Sequence, residues 1–587
     1  MKDLGKRLLT AGIAGVLAVA PVAICASAAV GAPSGGPSGA TAGARTGAVE
    51  RQRVDAVRTP RIGWYECYGN AECATTELPL DYDEPRGATT EIALLRIKAK
   101  DQKNRIGSLF VNPGGPGGSG TSFAYSAQYF LSPAVLQRFD IVGFDPRGIG
   151  ASENVRCFPS VRAQNAVLRD LNIAFPWGRA EEKKYIRAAE ELGRACSSTG
   201  EPLTGSASTA EAARDMDVLR RAVGDDKLSY LGFSYGTAIG QYYANMFPDR
   251  FRTVAVDGVL DPEHWAGTGS TAGQGQDQRV RSAAGAHRAL MEILGRCDEA
   301  GPKYCVFAAG DPKKRFEVIA RKLRAEPIEI TDEFGTYTIS YADFVGGMLG
   351  ALYGVDAGDF TTYLAQEVWT LLFPPSAAAA GTAKAALIRR IKQARTRPGR
   401  DFPYDNSLES ASAVACADAQ HPRDADLFPA LTAAADKKAP YFGRAWGWAT
   451  VQCSRSTWTA RDEDAYTGPW TTRTAAPVLL VGTRWDPATS YEDAVSAAGR
   501  LPNSFLLSST NWGHTSYGTS ACATGAIDTY LLSGALPARG TLCKGDYEPF
   551  TAPLPVGGSS SGAESPREAG LPPVADPLPL SILNGNR

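Results

Sequence analysis

The stretch Gly232-Phe233-Ser234-Tyr235-Gly236 sets a serine between two glycines, the pattern of a nucleophile held on a sharp turn. A second Gly-x-Ser-x-Gly, Gly558-Ser559-Ser560-Ser561-Gly562, lies in a tail rich in Pro, Ser and Gly. Glycine makes up 62 of the 587 residues, so the pattern recurs by chance and only context separates the copies. Residues 227–231 read as a short strand before Ser234, and residues 237–244 as a helix after it. The tail copy has neither neighbour. Ser234 is the candidate nucleophile, and its plain alternative is a structural turn without chemistry.

A serine hydroxyl attacks only when a base takes its proton, and an acid must hold that base in the right tautomer. The chain has four histidines, at 264, 287, 421 and 514. Sheet hydrolases of this kind carry their triad in the order Ser, Asp or Glu, His. His514, in Asn511-Trp512-Gly513-His514-Thr515, follows the last strand-like segment and fits that order. His287 and His421 fall within a helical region, and His264, just after the strand ending near Asp257, comes too early for a base that must follow the acid. Asp486 ends the segment 478–486, just past a strand and before a helix, and is the candidate orienting acid. Its plain role would be a helix cap. Asp257 also ends a strand and stays open as the acid of a variant arrangement.

The tetrahedral intermediate requires N–H donors aimed at its oxyanion. Tyr235, after the nucleophile, supplies one. The loop Asn112-Pro113-Gly114-Gly115-Pro116-Gly117-Gly118-Ser119-Gly120 is placed to supply the other. Within it, Gly115-x-Gly117-x-x-Gly120 with Asp140 further on also matches a dinucleotide fingerprint. Asp140 precedes its strand rather than ending it, and Pro113 and Pro116 interrupt the loop, so the oxyanion reading is preferred. This chemistry calls for no cofactor and no metal ion.

The elements that position these residues alternate between strand and helix, which argues for a mostly parallel sheet. Residues 92–97, 108–111, 139–144 and 253–256 read as strands, and Ser208 with Glu211 reads as a capping box before a helix. That helix carries Ala212, Met216, Leu219 and Val223 on one face. From 261 to 474 the chain looks mainly helical, with amphipathic runs at 280–294 and 383–395; strands return at 477–482 and 504–507. The expectation is an α/β-hydrolase fold with a large, mainly helical cap inserted before the last strands, over the strand ends where open α/β sheets bind ligands. The expected divisions are a signal peptide at 1–28, a flexible leader or pro-segment at 29–58, and core at 59–260. The cap follows at 261–474, then core again at 475–550 and a disordered tail at 551–587.

Length, 44% apolar and 21% charged residues describe an ordinary globular chain with a large core. A net charge of −1 argues against nucleic acid or an anionic membrane as partner. Lys2, Lys6 and Arg7, an apolar run at 8–24 and Ala26-Ser27-Ala28 read as a cleavable export signal rather than a retained anchor. The protein is thus expected to be secreted and extracellular, with no stable membrane insertion after cleavage, and to act as a monomer. Eleven cysteines less Cys25 leave ten, an even number that suits an oxidising compartment. Pairing of neighbours suggests Cys67–Cys73, Cys157–Cys196, Cys297–Cys305, Cys416–Cys453 and Cys522–Cys543; metal ligation is the rival, but no paired Cys-x-x-Cys occurs.

The 112–120 loop, Phe144-Asp145-Pro146-Arg147-Gly148, 232–236, 482–487 and Gly513-His514-Thr515 together resemble the secreted bacterial tripeptidyl aminopeptidases. These are α/β-hydrolase serine peptidases related to proline iminopeptidase, with a TAP-like C-terminal region. The resemblance spans roughly 64–544. It implies Ser234 as nucleophile, Asp486 as orienting acid, His514 as base, and the N–H groups of Gly115 and Tyr235 as the oxyanion hole. Pro113 stands where proline iminopeptidases usually carry His in His-Gly-Gly-Pro-Gly, which puts single-proline specificity in doubt. The implied activity is release of tripeptides or other short peptides from the free N-termini of peptides or proteins.

The residues alone reach acyl transfer to water and do not separate amide from ester. A secreted carboxylesterase or lipase with the same triad, and an inactive hydrolase-fold binding protein, remain as alternatives. An aminopeptidase must also hold the substrate ammonium, most simply with a buried carboxylate under the cap. Asp418 could serve there, or equally cap a helix.

Overall fold

The computed structural model describes residues 44–333, 335–395 and 404–554. The expected signal peptide, Cys25, the second Gly-x-Ser-x-Gly and all but the first four tail residues lie outside them.

Twelve strands occur among the described residues: β1 Tyr65–Cys67, β2 Ala71–Pro79, β3 Thr89–Ile97, β4 Gly107–Asn112, β5 Phe139–Phe144, β6 Leu228–Phe233, β7 Phe251–Asp257, β8 Ile328–Asp332, β9 Gly335–Ile339, β10 Val478–Trp485, β11 Ser504–Trp512 and β12 Leu542–Cys543. Ten form one sheet in the order β1-β2-β3-β5-β4-β6-β7-β10-β11-β12. The three pairings from β1 to β5 are antiparallel, and every pairing from β5 onward is parallel. β5 and β6 are buried at every position, as expected for strands covered on both faces. This is the α/β-hydrolase fold, and its middle strands carry the candidate residues at their C-terminal ends.

The helix Thr209–Ala222 begins where Ser208 and Glu211 predict. Only half of the box forms: the Ser208 side chain accepts from Glu211 N–H, while the Glu211 carboxylate turns to Arg214 and Arg147. Arg147, in the Asp145-Pro146-Arg147-Gly148 turn, is buried and also paired to Asp215 at 2.6 Å. Glu211, Asp462 and Asp464 lie close enough together to suggest a cation, but Arg147 and Arg214 already supply the positive charge there.

Between β7 and β10 the chain forms helices such as Ser282–Ala300, Tyr341–Leu352 and Ser407–Asp418, with one two-stranded hairpin of β8 and β9. This is the expected helical cap. A second excursion, 156–207, packs with it although it falls within the expected core range 59–260. There Cys157 and Cys196 are bonded, Phe158 N–H donates to Tyr404 Oη at 3.2 Å, and Arg444 pairs with Glu182 at 2.9 Å. Nothing in the local sequence marks this shift, because the long amphipathic helix Arg179–Cys196 would suit either layer.

Within the expected flexible leader, residues 44–58 depart from that reading. Ala48–Asp55 is a helix, Val54 is fully buried and Glu50 pairs with Arg214 at 2.9 Å. All five expected disulfides are present. Among the described residues no helix is long and apolar enough to cross a membrane.

Candidate active site

Ser234 sits directly after β6 with φ +55°, a left-handed conformation unusual for serine. Its N–H donates to Asp257 O at 3.0 Å, and the helix Gly236–Met246 starts two residues on. The flanking glycines are required by close approach. A Cβ on Gly232 would lie 2.5 Å from Gly236 O, and one on Gly236 2.8 Å from Asn112 O. The strand, turn and helix expected from sequence are all present, and they raise Ser234 to the end of the sheet.

His514 follows β11. Its Nδ1 lies 2.9 and 2.8 Å from the two carboxylate oxygens of Asp486, which follows β10. Asp486 is fully buried and accepts further bonds from Ala488 N–H and Thr489 N–H at 2.8 Å, Thr489 Oγ1 at 2.9 Å and Thr515 N–H at 3.2 Å. So many donors fix the orientation of the carboxylate. The tautomer with the proton on Nδ1 satisfies this geometry, and Nε2 takes no hydrogen bond from the protein. Ser490, not Asp486, caps the next helix.

Asp257, the alternative acid, serves a different purpose. One of its oxygens accepts from Ser516 N–H at 2.9 Å and Tyr517 N–H at 2.8 Å, so it holds the loop just past His514. Burial pushes its carboxyl up to about 6, partly offset by those two N–H groups. The other histidines are committed elsewhere. His264 pairs with Asp493, His287 faces Pro440 O, and His421 is buried against Ala415 O. Burial pushes His421 down to about 3, so it stays neutral.

The glycine loop after β4 lies against the elbow. Gly114 and Gly115 both have positive φ, and a Cβ on Gly114 would meet Tyr235 N at 2.8 Å. Gly115 and Ser234 line one cavity. Neither Gly115 N–H nor Tyr235 N–H is spent on an acceptor within the described residues. Asp140, needed by the dinucleotide reading, instead accepts from Ala99 N–H and pairs with Arg105 at 2.8 Å.

The structure therefore brings Ser234, Tyr235, Gly115, Asp486 and His514 to one end of the sheet. Sequence reasoning missed two neighbours. Thr489 bonds the acid, and a threonine three residues after Asp486 is its only sequence signal. Tyr353 belongs to the cap; its carbonyl accepts His514 N–H at 3.0 Å and its ring meets the imidazole edge-on at 5.2 Å. No local pattern announces that contact. Asp418 is buried against Thr209 and Trp265 and is not among the residues lining the cavity.

A hydroxyl on a strained elbow, a carboxylate-held imidazole and a glycine loop on one parallel sheet define an α/β-hydrolase of the serine type. The general alpha/beta hydrolase fold family matches residues 107–291, and the TAP-like protein family matches residues 439–543. The chain is 30% identical to serine protease Hip1 of Mycobacterium tuberculosis, over 81% of this chain and 88% of that protein. It is 28% identical to the tripeptidyl aminopeptidase of Streptomyces lividans, over 94% and 99%. It is 30% identical to carboxylesterase B of Mycobacterium tuberculosis, over 83% and 91%. The chain belongs to the TAP-like family of α/β-hydrolases.

Proposed function

We propose that this serine hydrolase is a secreted exopeptidase that releases tripeptides, or other short peptides, from free N-termini. Ser234 Oγ attacks the scissile carbonyl and its proton passes to His514 Nε2, the ring nitrogen free of protein partners. Asp486 holds the Nδ1 proton and stabilises the imidazolium. Gly115 and Tyr235 N–H groups receive the oxyanion, His514 returns the proton to the leaving amine, and water resolves the acyl-enzyme by the same steps reversed.

The observation that carries the exopeptidase reading is the roof over the nucleophile. Ser234 is only 6% exposed, and its cavity is lined on one side by Leu408, Ala411 and Ala415 of the cap helix Ser407–Asp418. A recessed nucleophile under a helical cap favours a chain end over the middle of a polypeptide. The tripeptidyl aminopeptidase among the relatives supports the substrate class, and five disulfides suit an exported protein. The largely apolar lining, with Leu260, Val280 and Trp446, favours a second reading as a carboxylesterase.

Hydrolysis of a tripeptide anilide with a free amino terminus, beside its N-acetyl form, separates the two, with Ser234→Ala as blank. Cleavage of the free form alone supports the aminopeptidase. Equal cleavage of both overturns the aminopeptidase and favours an endopeptidase or an esterase.

A further inference from the structure

Asp277 is the one charged side chain among the residues that line the Ser234 cavity. It lies at the start of the cap, in the short helix Gln276–Val280, and is 8% exposed. One carboxylate oxygen accepts from Ala283 N–H at 3.0 Å, near the start of the helix Ser282–Ala300. The other takes no hydrogen bond, and no Lys, Arg or His among the described residues forms an ion pair with Asp277. Its neighbour Arg279 sends its donors to the carbonyls of His264, Gln274 and Trp265 instead.

A carboxylate withdrawn from water without a cation is costly, because its desolvation is not offset. Burial pushes this carboxyl up to about 7, opposed only by the Ala283 N–H, and Asp493 nearby raises it further. Capping the helix Ser282–Ala300 would need just one acceptor oxygen, and an asparagine could supply it. A charged group with a spare oxygen in a substrate chamber suits a cationic ligand. Trp265 and Trp446 line the same chamber, and aromatic walls favour a cation as well.

We propose that Asp277 is the anchor for the substrate's terminal ammonium and thereby sets the preference for free N-termini. This rests on the aminopeptidase reading given above. An incoming ammonium would complete the ion pair that the protein leaves open, while an acylated terminus would put a neutral amide against a buried carboxylate.

The test measures kcat/KM for the free and N-acetylated tripeptide anilides with wild type and Asp277→Asn, which keeps an acceptor for Ala283 N–H. Labelling of Ser234 by a fluorophosphonate checks that the variant is folded. The expected result is a preference ratio about 100-fold smaller in the variant, carried mainly by KM for the free substrate. If Asp277→Asn is not labelled, the ratio is read on Asp277→Glu, where displacement of the carboxylate should lower it about 10-fold. A wild-type preference that survives in the labelled variant overturns the anchor and leaves the aminopeptidase standing. A wild type that cleaves both substrates alike overturns both.

Discussion

At the scale of single residues, Asp486 is the point where the site's hydrogen bonds converge. Its oxygens accept from Ala488, Thr489, Thr515 and His514, so each has a fixed task. Asp486→Asn would replace one acceptor by a donor facing Nδ1 and favour the wrong imidazole tautomer. Steady-state assays should then show kcat down by about 10⁴-fold. Thr489→Val removes one hydroxyl from the same carboxylate without emptying the space. Loss of a single bond to a charged group predicts kcat about 10-fold lower with KM little changed. An unchanged kcat in Thr489→Val would mean that the backbone donors alone position the acid.

The elements act as rigid carriers of these groups, and two of them are tightly constrained. The loop after β4 approaches the elbow so closely that a Cβ on Gly114 would lie 2.5 Å from Phe233 O and 2.8 Å from Ser234 Cβ, at φ +94°. Gly114→Ala must therefore displace either the loop or Ser234. It should abolish fluorophosphonate labelling or slow it at least about 100-fold while the far-UV circular dichroism is kept. The cap helix Ser407–Asp418 is tied to residues 451–453 by Cys416–Cys453, which closes a loop of sequence separation 37. Replacing both cysteines by serine should lower unfolding free energy by about 4 kcal/mol in urea titrations. The cap also touches His514 through Tyr353, so loosening it should affect activity as well as access.

For the molecule as a whole, its buried acids set how stability depends on pH. Asp257 has a folded pKa of about 6, above the ordinary 3.8, because burial disfavours its charged form. The proton is thus held more tightly in the folded chain. The resulting stabilisation is complete below about pH 4 and is lost as pH rises through 6. Comparing wild type with Asp257→Asn across pH 3–7 by denaturant unfolding, the difference should shift by about 3 kcal/mol against the wild type as pH rises. A constant offset between the two proteins would show that Asp257 ionises normally. The sheet end, the glycine loop and the cap meet around one chamber, so the burial that raises these acids comes from the same packing that shapes the site.

The candidate residues Ser234, Asp486 and His514 and the Gly-rich loop can be picked out in the sequence, and their placement at one sheet end anticipated, because each depends on local grammar: strand, tight turn, helix, and a fixed order along the chain. The disulfides followed from neighbour pairing, and the cap from the break in strand-like pattern after Asp257. What required the tertiary structure was every choice between equivalent local signals. Asp257 and Asp486 both end strands, and only the fold shows that Asp486 contacts His514 while Asp257 holds the loop past it. The excursion at 156–207 reads like any core helix until its contacts with Tyr404 and Arg444 place it with the cap. Asp277 looks like a surface residue between Gln276 and Gln278, since burial and the lack of a cation are properties of the fold. Periodicity and turn chemistry act over a few residues, whereas desolvation and pairing are decided by parts of the chain that meet only when folded.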